Sequence, residues 1–322
     1  MKILVFGKDG QLGKALQHSI EAAVLALPVG SNQPSIQFVG RADCDLSDGV
    51  ALEALLSRCK PQLIINASAY TAVDKAEDES DLAFSVNARA PGIMAQYAAQ
   101  HGATFLHYST DYVFDGAKTG CYVEEDVRNP LGAYGKSKAA GEEAIEAAFA
   151  NSKQGQYAVF RTSWVYGEGG NFIRTILRLA KDRDALNVIH DQHGVPTSAS
   201  WLAQFSFDFA VDPSFSIRAF PSGIYHAVPA GETTWYGLAS FAVQVAWDAG
   251  IALKTVPANI KPILAVEYPL PAPRPMNSRM ATSKLQNTLV SRGDMSKSQQ
   301  LHQPWTEGVR AYVTQLAKDG LI

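Results

Sequence analysis

Short apolar runs alternate with longer amphipathic stretches through the first half of the chain. Five of the runs predict buried strands, at residues 2–6, 35–40, 63–67, 104–109 and 157–162. The stretches between them predict helices, at residues 14–23, 49–59, 83–100 and 134–148, with a break or kink at Pro91. This alternation is typical of an α/β fold, so we predict a Rossmann-type doubly wound parallel sheet with helices on both faces. Ligands of such sheets bind beyond the carboxyl ends of the strands.

The pattern changes after residue 163. Helical segments at residues 172–181 and 234–249 are separated by longer connections, and prolines become frequent between Pro257 and Pro275. We predict a dinucleotide-binding domain at residues 1–163 and a smaller, mixed C-terminal substrate-binding lobe at residues 164–322. Some segments of the second part are expected to return to the first.

The composition of the chain argues against several classes of function. Of the 322 residues, 47% are hydrophobic and 18% are charged, which suits a folded chain with a sizeable core. A net charge of −3 gives no basic surplus for binding nucleic acid or an anionic membrane. The sequence shows no apolar run near the roughly 18 residues of a membrane span and no signal-peptide pattern, so we predict a cytoplasmic protein. The three cysteines lack metal-type spacing and are expected to be packing residues.

Gly7, Gly10 and Gly13 form a GxxGxxG string between a predicted strand and a predicted helix. Glycines at these positions permit a tight turn, close approach of the backbone to a pyrophosphate, and close packing of the helix on the sheet. The N-terminus of the helix adds free N–H groups and a partial positive charge. Such a string alone is also common in turns, but its place between strand and helix predicts a dinucleotide site.

The residues after the second strand indicate which dinucleotide is preferred. An acidic residue there pairs with the ribose 2′-hydroxyl of NAD, whereas an arginine accommodates the 2′-phosphate of NADP. This chain has Gly40 and Arg41, so we predict that NADPH is preferred and NADH is tolerated. Asp45 and Leu46 are placed to contact the adenine. Asp45 is also a candidate cap for the helix that begins near Asp48.

Tyr134 and Lys138 lie four residues apart, which places them one turn apart on one face of a predicted helix. A neighbouring ammonium lowers the pKa of a phenol, which can then give a proton to a carbonyl oxygen near neutral pH. Thr110 follows the fourth strand, where its hydroxyl is expected to reach the same oxygen. The three residues together predict hydride transfer between a nicotinamide and a carbonyl or alcohol.

Seven sequence strings show a family resemblance, and together they extend over nearly the whole chain. They occupy residues 6–13, 66–74, 108–116, 134–142, 161–166, 191–197 and 274–278. Through them the chain resembles the extended short-chain dehydrogenase/reductases, and most closely the dTDP-4-dehydrorhamnose reductases of bacterial rhamnose synthesis. The strings at residues 110–116 and 161–166 are specific to this branch, whereas the Tyr-x-x-x-Lys pair is shared by the superfamily.

The resemblance implies roles for individual residues. The residues at positions where the family contacts its cofactor are Gly10, Gln11, Leu12, Ala69, Tyr70, Thr71 and Tyr108. The residues at positions where it contacts its substrate are Thr110, Asp111 and Trp164. Tyr134 matches the proton donor, and Lys138 matches the residue that holds the nicotinamide ribose. Trp164 is expected to form an aromatic platform beside the sugar, with core packing as its alternative role. From its chemistry, Arg274 in the Pro-rich segment is a further candidate for binding the diphosphate.

The implied reaction is NADPH-dependent reduction of the C4 ketone of dTDP-6-deoxy-L-lyxo-4-hexulose to dTDP-L-rhamnose, with a nucleotide sugar as the partner. Two kinds of alternative remain open: a non-catalytic, NADP-binding regulatory subunit, and a reductase or epimerase that acts on another nucleotide sugar. A dehydratase is disfavoured, because Tyr112 follows Asp111 where a second carboxylate is wanted.

Some members of the family share a magnesium site that is built from carboxylates at a dimer interface. In this chain Ala15 and His190 stand where carboxylates are expected. The sequence therefore argues against a structural magnesium ion, and against a dimer that depends on one. We predict no metal site, and either a monomer or a homodimer.

Overall fold

A computed structural model describes residues 1–152 and 154–322. Its strands are β1 (Lys2–Phe6), β2 (Ser35–Val39), β3 (Leu63–Asn66), β4 (Thr104–Thr110), β5 (Gln156–Thr162), β6 (Val165–Tyr166), β7 (Leu186–Ile189), β8 (His193–Gly194), β9 (Thr197–Ser198), β10 (Gly223–His226), β11 (Thr233–Thr234) and β12 (Ile260–Ile263). Its α-helices are α1 (Gln11–Leu25), α2 (Gly49–Cys59), α3 (Ser80–Phe84), α4 (Ala90–His101), α5 (Ala133–Phe149), α6 (Phe172–Asp182), α7 (Ala199–Ala210), α8 (Trp235–Asp248), α9 (Ser283–Ser291), α10 (Met295–Gln300) and α11 (Trp305–Lys318).

The central sheet has six parallel strands in the order β2-β1-β3-β4-β5-β10. The chain leaves β1 towards β2 on one side and then crosses to β3 on the other side of β1. The strand order therefore reverses between β1 and β3, which is where open α/β sheets bind their ligands. The predicted doubly wound parallel sheet is confirmed.

Both faces of this sheet are covered. Every residue of β3 and β4 is buried, as expected for strands that pack against helices on two sides. Helices α1 and α7 contribute to the apolar core on one face, and α2, α4 and α5 contribute to the core on the other. The all-apolar runs that predict strands in the sequence are thus the runs that lie between the two helical layers.

The second half of the chain is divided between two cores. Strand β10 adds the sixth strand to the central sheet, α7 packs on α1, and α9 packs on β10. Helices α6, α8 and α11 bury their apolar faces in a separate cluster with β7. The return of later segments to the first half fits the sequence-based expectation, while the division at residue 163 stays a prediction.

Local boundaries differ from the predicted ones where backbone capping decides them. Helix α1 begins at Gln11 because Gly10 is extended and its carbonyl accepts the first helical hydrogen bond, from Lys14. Pro91 is the second residue of α4, directly after a widened π-type turn at Ser85–Arg89. Among the described helices, we find none with the length and apolar character needed to cross a membrane.

Candidate active site

A cavity of ≈ 740 Å³ opens at the carboxyl ends of β1 to β5. It lies beside the point where the strand order reverses, as the fold class requires. Most of the residues that the sequence analysis selected line it together: Gly7, Gly10, Gln11, Leu12, Arg41, Asp45, Leu46, Ala69, Tyr70, Thr71, Tyr108, Thr110, Asp111, Tyr134, Lys138 and Trp164. Gly13 and Arg274 lie outside this lining.

The glycine loop follows β1, between the ends of β2 and β4, and leaves this part of the cavity lined by backbone. Gly7 has φ +88°, and a Cβ there would lie 2.7 Å from the backbone of Ala67. Gly10 caps α1 with backbone alone, since no side chain of the described residues caps this end of the helix. The first turn of α1 also holds no acidic residue. Free N–H groups and a partial positive charge therefore face the cavity, and they suit the pyrophosphate of a dinucleotide.

Gly13 packs α1 against the loop, so replacing it with alanine should destabilise the fold. An added Cβ would lie 1.9 Å from the carbonyl oxygen of Gly7, and backbone cannot move aside as a side chain would. We expect Gly13→Ala to lower the free energy of unfolding by about 1–3 kcal/mol and to weaken dinucleotide binding, measured by denaturant titration and calorimetry. Gly170→Ala is the control, because no described atom lies within 4 Å of its added Cβ. Equal stabilities of the two variants would contradict the packing argument.

Arg41 and its neighbours line the cavity beyond the end of β2, beside the glycine loop. The Arg41 guanidinium is 79% exposed and lies 3.4 Å from the carboxylate of Asp45. Asp45 also accepts hydrogen bonds from the backbone N–H and hydroxyl of Ser47. The cap of α2 is Asp48, whose side chain accepts from the N–H of Ala51. The capping alternative for Asp45 is therefore wrong, and its carboxylate stays at the cavity rim.

The sequence analysis did not select Asp43, which organises the loop after β2. Its carboxylate accepts from the N–H of Gly40 at 2.8 Å and pairs with the ammonium of Lys8 at 2.5 Å. The hydrogen bond from Lys8 holds the pKa of Asp43 below its usual value. Nothing in the local sequence pattern marks this pair, because Lys8 and Asp43 meet only when β1 and β2 lie side by side.

Thr110, Tyr134 and Lys138 line the part of the cavity that lies beyond the end of β4, on the other side of the glycine loop from Arg41. Thr110 ends β4, while Tyr134 and Lys138 lie one turn apart in α5. All three residues line the cavity, and the Tyr112 and Tyr134 rings pack edge-on with 5.4 Å between centroids. The ammonium nitrogen of Lys138 is buried, 2.6 Å from the carbonyl oxygen of Tyr108. The predicted trio is thus brought to one place by the pairing of β4 with α5.

The direction of the Tyr134 pKa differs from the sequence-based expectation. Burial raises the pKa of the phenol to about 12; the hydrogen bond with Thr110 lowers it and the charge of Asp111 raises it further. Burial lowers the pKa of Lys138 to about 8. A neighbouring amine was expected to lower the phenol pKa, but Lys138 is directed to the carbonyl of Tyr108 instead. The phenol therefore carries its proton at neutral pH, as a proton donor must.

Asp111 is a buried carboxyl beside the trio. One of its oxygens accepts from the Thr110 hydroxyl at 3.0 Å, and the other accepts from the hydroxyl of Ser278. Burial raises the pKa of Asp111 to about 6, while the hydrogen bonds from Ser278 and Thr110 act in the opposite direction. Ser278 belongs to the string at residues 274–278 that carries the family resemblance, but only the structure shows that it reaches Asp111 from the second half of the chain.

Trp164 forms an aromatic wall with a residue that the sequence analysis missed. The indole rings of Trp164 and Trp235 stack with 3.7 Å between centroids, and both line the cavity. Trp164 has φ +48°, which is strained for a bulky residue and is typical of functional positions. A Cβ on Gly194 would lie 2.6 Å from the Trp164 ring, so the position of that ring requires a glycine at residue 194. Trp164 is therefore a wall of the cavity as well as a packing residue.

The remaining candidates lie elsewhere. Arg274 donates to the carboxylate of Asp74 at 2.9 Å and to the carbonyl of Ala272, so its role in diphosphate binding stays a prediction. Across residues 1–152 and 154–322 we find no group of three or more His, Cys, Asp or Glu side chains placed to hold a metal ion. Ala15 is buried in the sheet core.

Comparison with known proteins decides the family. A family model described as the RmlD substrate binding domain matches residues 1–317. The dTDP-4-dehydrorhamnose reductase of Salmonella typhimurium is 40% identical over 319 residues, which cover 98% of each chain. The chain belongs to the RmlD family of dTDP-4-dehydrorhamnose reductases.

Solved structures of the RmlD family share this architecture. The dTDP-4-dehydrorhamnose reductase of Clostridium acetobutylicum is 32% identical, with a TM-score of 0.81 over 98% of this chain and 99% of that one. The enzyme of Bacillus anthracis, solved in complex with NADP, is 29% identical, with a TM-score of 0.78 over 98% and 99%. The family resemblance drawn from the sequence strings is thereby confirmed.

Proposed function

We propose that this protein is an NADPH-dependent reductase of the C4 ketone of dTDP-6-deoxy-L-lyxo-4-hexulose, with dTDP-L-rhamnose as the product. The observation that carries the proposal is the convergence of Thr110, Tyr134 and Lys138 in the same cavity as the glycine loop. The names of the RmlD-family relatives support the substrate, and the NADP complex of the Bacillus anthracis enzyme supports the cofactor.

The lining fits a dinucleotide along its whole length. The backbone of the glycine loop and the first turn of α1 would hold the pyrophosphate, Arg41 and Leu46 would flank the adenosine, and Lys138 would hold the nicotinamide ribose. When bound, the reduced nicotinamide supplies a hydride to the ketone carbon.

Tyr134 supplies the proton of the reaction. Its protonated phenol is the acid that neutralises the oxygen at C4 as that oxygen gains negative charge. The Thr110 hydroxyl lies close enough to the phenol to influence its pKa, so both groups can reach one substrate oxygen. Stabilising that charge with two hydroxyl donors in a buried site lowers the barrier more than the same contacts would in water.

The sugar is held between polar and aromatic groups. Asp111 accepts hydrogen bonds, and its carboxylate would orient the sugar hydroxyls from beside Thr110. The stacked Trp164 and Trp235 offer an apolar surface that suits the 6-methyl side of a deoxysugar. This combination favours a 6-deoxy-4-keto sugar over a fully hydroxylated one.

One assay tests the function. The 4-keto-6-deoxy-L-sugar nucleotide is supplied with NADPH, and the loss of NADPH absorbance is followed with product identification by mass spectrometry. We expect one NADPH to be oxidised for each dTDP-L-rhamnose formed. Turnover with a different keto-sugar nucleotide alone would overturn the substrate assignment. Product formation without NADPH oxidation would point to an epimerase, and dinucleotide binding without turnover of any keto sugar would point to a regulatory subunit.

Arg41 should decide between the two dinucleotides. Its exposed guanidinium at the cavity rim can pair with a 2′-phosphate, and Asp45 is its present partner. We expect Arg41→Ala to raise the KM for NADPH about tenfold, the equivalent of one charge-assisted contact, and to leave the KM for NADH unchanged. Arg58→Ala is a surface-arginine control on α2. A wild-type enzyme that prefers NADH would contradict the assignment.

A further inference from the structure

His107 is a buried histidine to which the proposed reaction assigns no part. It lies on β4, directly before Tyr108, and is fully buried. Its Nδ1 is 3.1 Å from the side-chain amide nitrogen of Asn66, and its Nε2 is 3.1 Å from the Nζ of Lys138. The ring therefore joins a buried amide on β3 to the lysine of the catalytic trio.

The orientation of the Asn66 amide fixes which ring nitrogen carries a hydrogen. The Asn66 Oδ1 accepts the backbone N–H of Ser68 at 3.1 Å, so the oxygen faces Ser68 and the NH₂ group faces His107. An amide NH₂ only donates, and the Nδ1 of His107 must accept. A neutral imidazole has one N–H, which is then on Nε2 and points at Lys138.

The next group in this chain of hydrogen bonds is the Lys138 amine. An Nε2–H donor needs a lone pair on Nζ, and an ammonium has none. The Nζ itself donates to the Tyr108 carbonyl at 2.6 Å. Burial keeps the His107 ring neutral by lowering its pKa well below the usual value, and burial lowers the pKa of Lys138 to about 8. The geometry and the desolvation thus act in the same direction: both disfavour a charged amine beside the neutral histidine, and Lys138 loses its proton above about pH 8.

We propose that His107, held in its Nε2–H tautomer by Asn66, is a positioning residue that disfavours the charged form of Lys138 in the free enzyme. An ammonium at Lys138 would need Nε2 as its acceptor, which moves the ring hydrogen to Nδ1 against the NH₂ of Asn66. To avoid two donors facing each other, the Asn66 amide must turn, and it then loses its hydrogen bond from the backbone N–H of Ser68. The loss of this hydrogen bond accompanies only the charged form of Lys138, so it lowers the pH at which Lys138 gains a proton. The link to catalysis rests on the proposed function, whereas the tautomer does not.

Other charged and titratable groups near Lys138 also influence its charge. They are Tyr134 and Glu142 on α5, Asp111 after β4, and Arg161 on β5. Glu142 raises the pKa of Lys138, but this carboxylate is bound by the guanidinium of Arg161 at 2.7 Å. Tyr134 is neutral in the free enzyme. His107 differs from these four groups, because its tautomer depends directly on the protonation of Lys138.

Nitrogen-15 NMR of the free wild-type enzyme with labelled histidine tests the tautomer directly, and a His107→Gln spectrum assigns the signals. We expect the His107 Nε2 to be protonated and Nδ1 to be unprotonated at pH 9.5, above the Lys138 midpoint, where the amine is uncharged. Carbon-13 NMR of labelled lysine should show Lys138 titrating about two units below an ordinary lysine. A protonated Nδ1 at pH 9.5, or a Lys138 that titrates like a surface lysine, would overturn the proposal.

Asn66→Asp is the informative variant. The carboxylate keeps an acceptor for Ser68 and adds one for an Nδ1–H, so it reverses the tautomer and allows Nε2 to accept from an ammonium. We expect the proton on Nδ1 and an upward shift of the Lys138 midpoint, and of the matching limb of the kcat/KM profile, by about one pH unit. Asn87 is a buried amide that bonds Ser137 rather than His107, so Asn87→Asp should leave the His107 tautomer unchanged. An unchanged tautomer in Asn66→Asp would overturn the proposal.

The two proposals fail separately. The NMR measurements use the free enzyme, so the tautomer result stands or falls without a substrate. An Nε2–H tautomer with no turnover of the 4-keto sugar supports the role of His107 and removes the proposed reaction. Turnover with a protonated Nδ1 supports the reaction and removes the role of His107. If Asn66→Asp does not fold, the wild-type histidine and lysine spectra decide the question.

Discussion

Replacing Tyr134 with phenylalanine should lower kcat by about 10²–10⁴ while leaving dinucleotide affinity nearly unchanged. The substitution removes only the hydroxyl, so the ring keeps its contact with the edge of Tyr112. The ketone oxygen then gains charge beside the Thr110 hydroxyl, which is a much weaker acid than the phenol. Steady-state kinetics with NADPH oxidation, together with calorimetric titration of NADP, measure the two effects separately.

Tyr157→Phe is the matched control for this experiment. Tyr157 is also a largely buried tyrosine, but it lies near the start of β5, at the opposite end of the sheet from the cavity. We expect its kcat to remain within about threefold of wild type, in line with the small effect of removing a group remote from the site. If Tyr134→Phe keeps near-normal activity, Tyr134 is not the proton donor and the cavity must supply another acid.

Glu142→Gln should cost about 3–5 kcal/mol of the free energy of unfolding. Glu142 is fully buried and bonds the guanidinium of Arg161, itself 1% exposed, at 2.7 and 2.9 Å. It also binds Arg128 at 2.6 Å. The amide would leave the buried cation of Arg161 without a counter-charge, which is why the cost is far larger than that of a surface pair. Denaturant unfolding at pH 7 measures the difference.

Glu146→Gln provides the comparison. Glu146 binds the same Arg128 at 2.6 Å but is 41% exposed, so water replaces the lost contact. We expect a loss below about 1 kcal/mol for this variant. Equal losses for Glu142→Gln and Glu146→Gln would show that burial does not decide the strength of this network.

The effect of Glu142 should also depend on pH. Burial alone would raise the pKa of this carboxyl, but the hydrogen bonds and charge of Arg161 lower it below its usual value. A pKa lower in the folded than in the unfolded state means that the carboxylate stabilises the fold above the unfolded pKa of about 4.3. That contribution is lost as the pH falls through the folded pKa. The gap between wild type and Glu142→Gln should therefore close in acid.

Much of the active site followed from local sequence signals. The first two glycines of the GxxGxxG string, the Tyr134 and Lys138 pair and the hydroxyl at the end of β4 all line one cavity, because parallel strands bring their carboxyl ends to one edge. The strand-and-helix alternation was enough to predict that edge. Arg274 lies outside the cavity lining and pairs with Asp74. The sequence gives no sign of this contact, because the two residues are 200 positions apart in the chain.

The sequence by itself determined the doubly wound sheet and the loop that suits a dinucleotide, and it selected the three residues that we propose to be catalytic. These depend on short-range patterns, where neighbouring residues share a strand, a turn or one face of a helix. Only the tertiary structure decided that β10 completes the sheet, that Trp235 stacks on Trp164, and that Asn66, His107 and Lys138 form one buried chain of hydrogen bonds. Those contacts join residues far apart in sequence, and their protonation depends on burial, which exists only once the chain has folded.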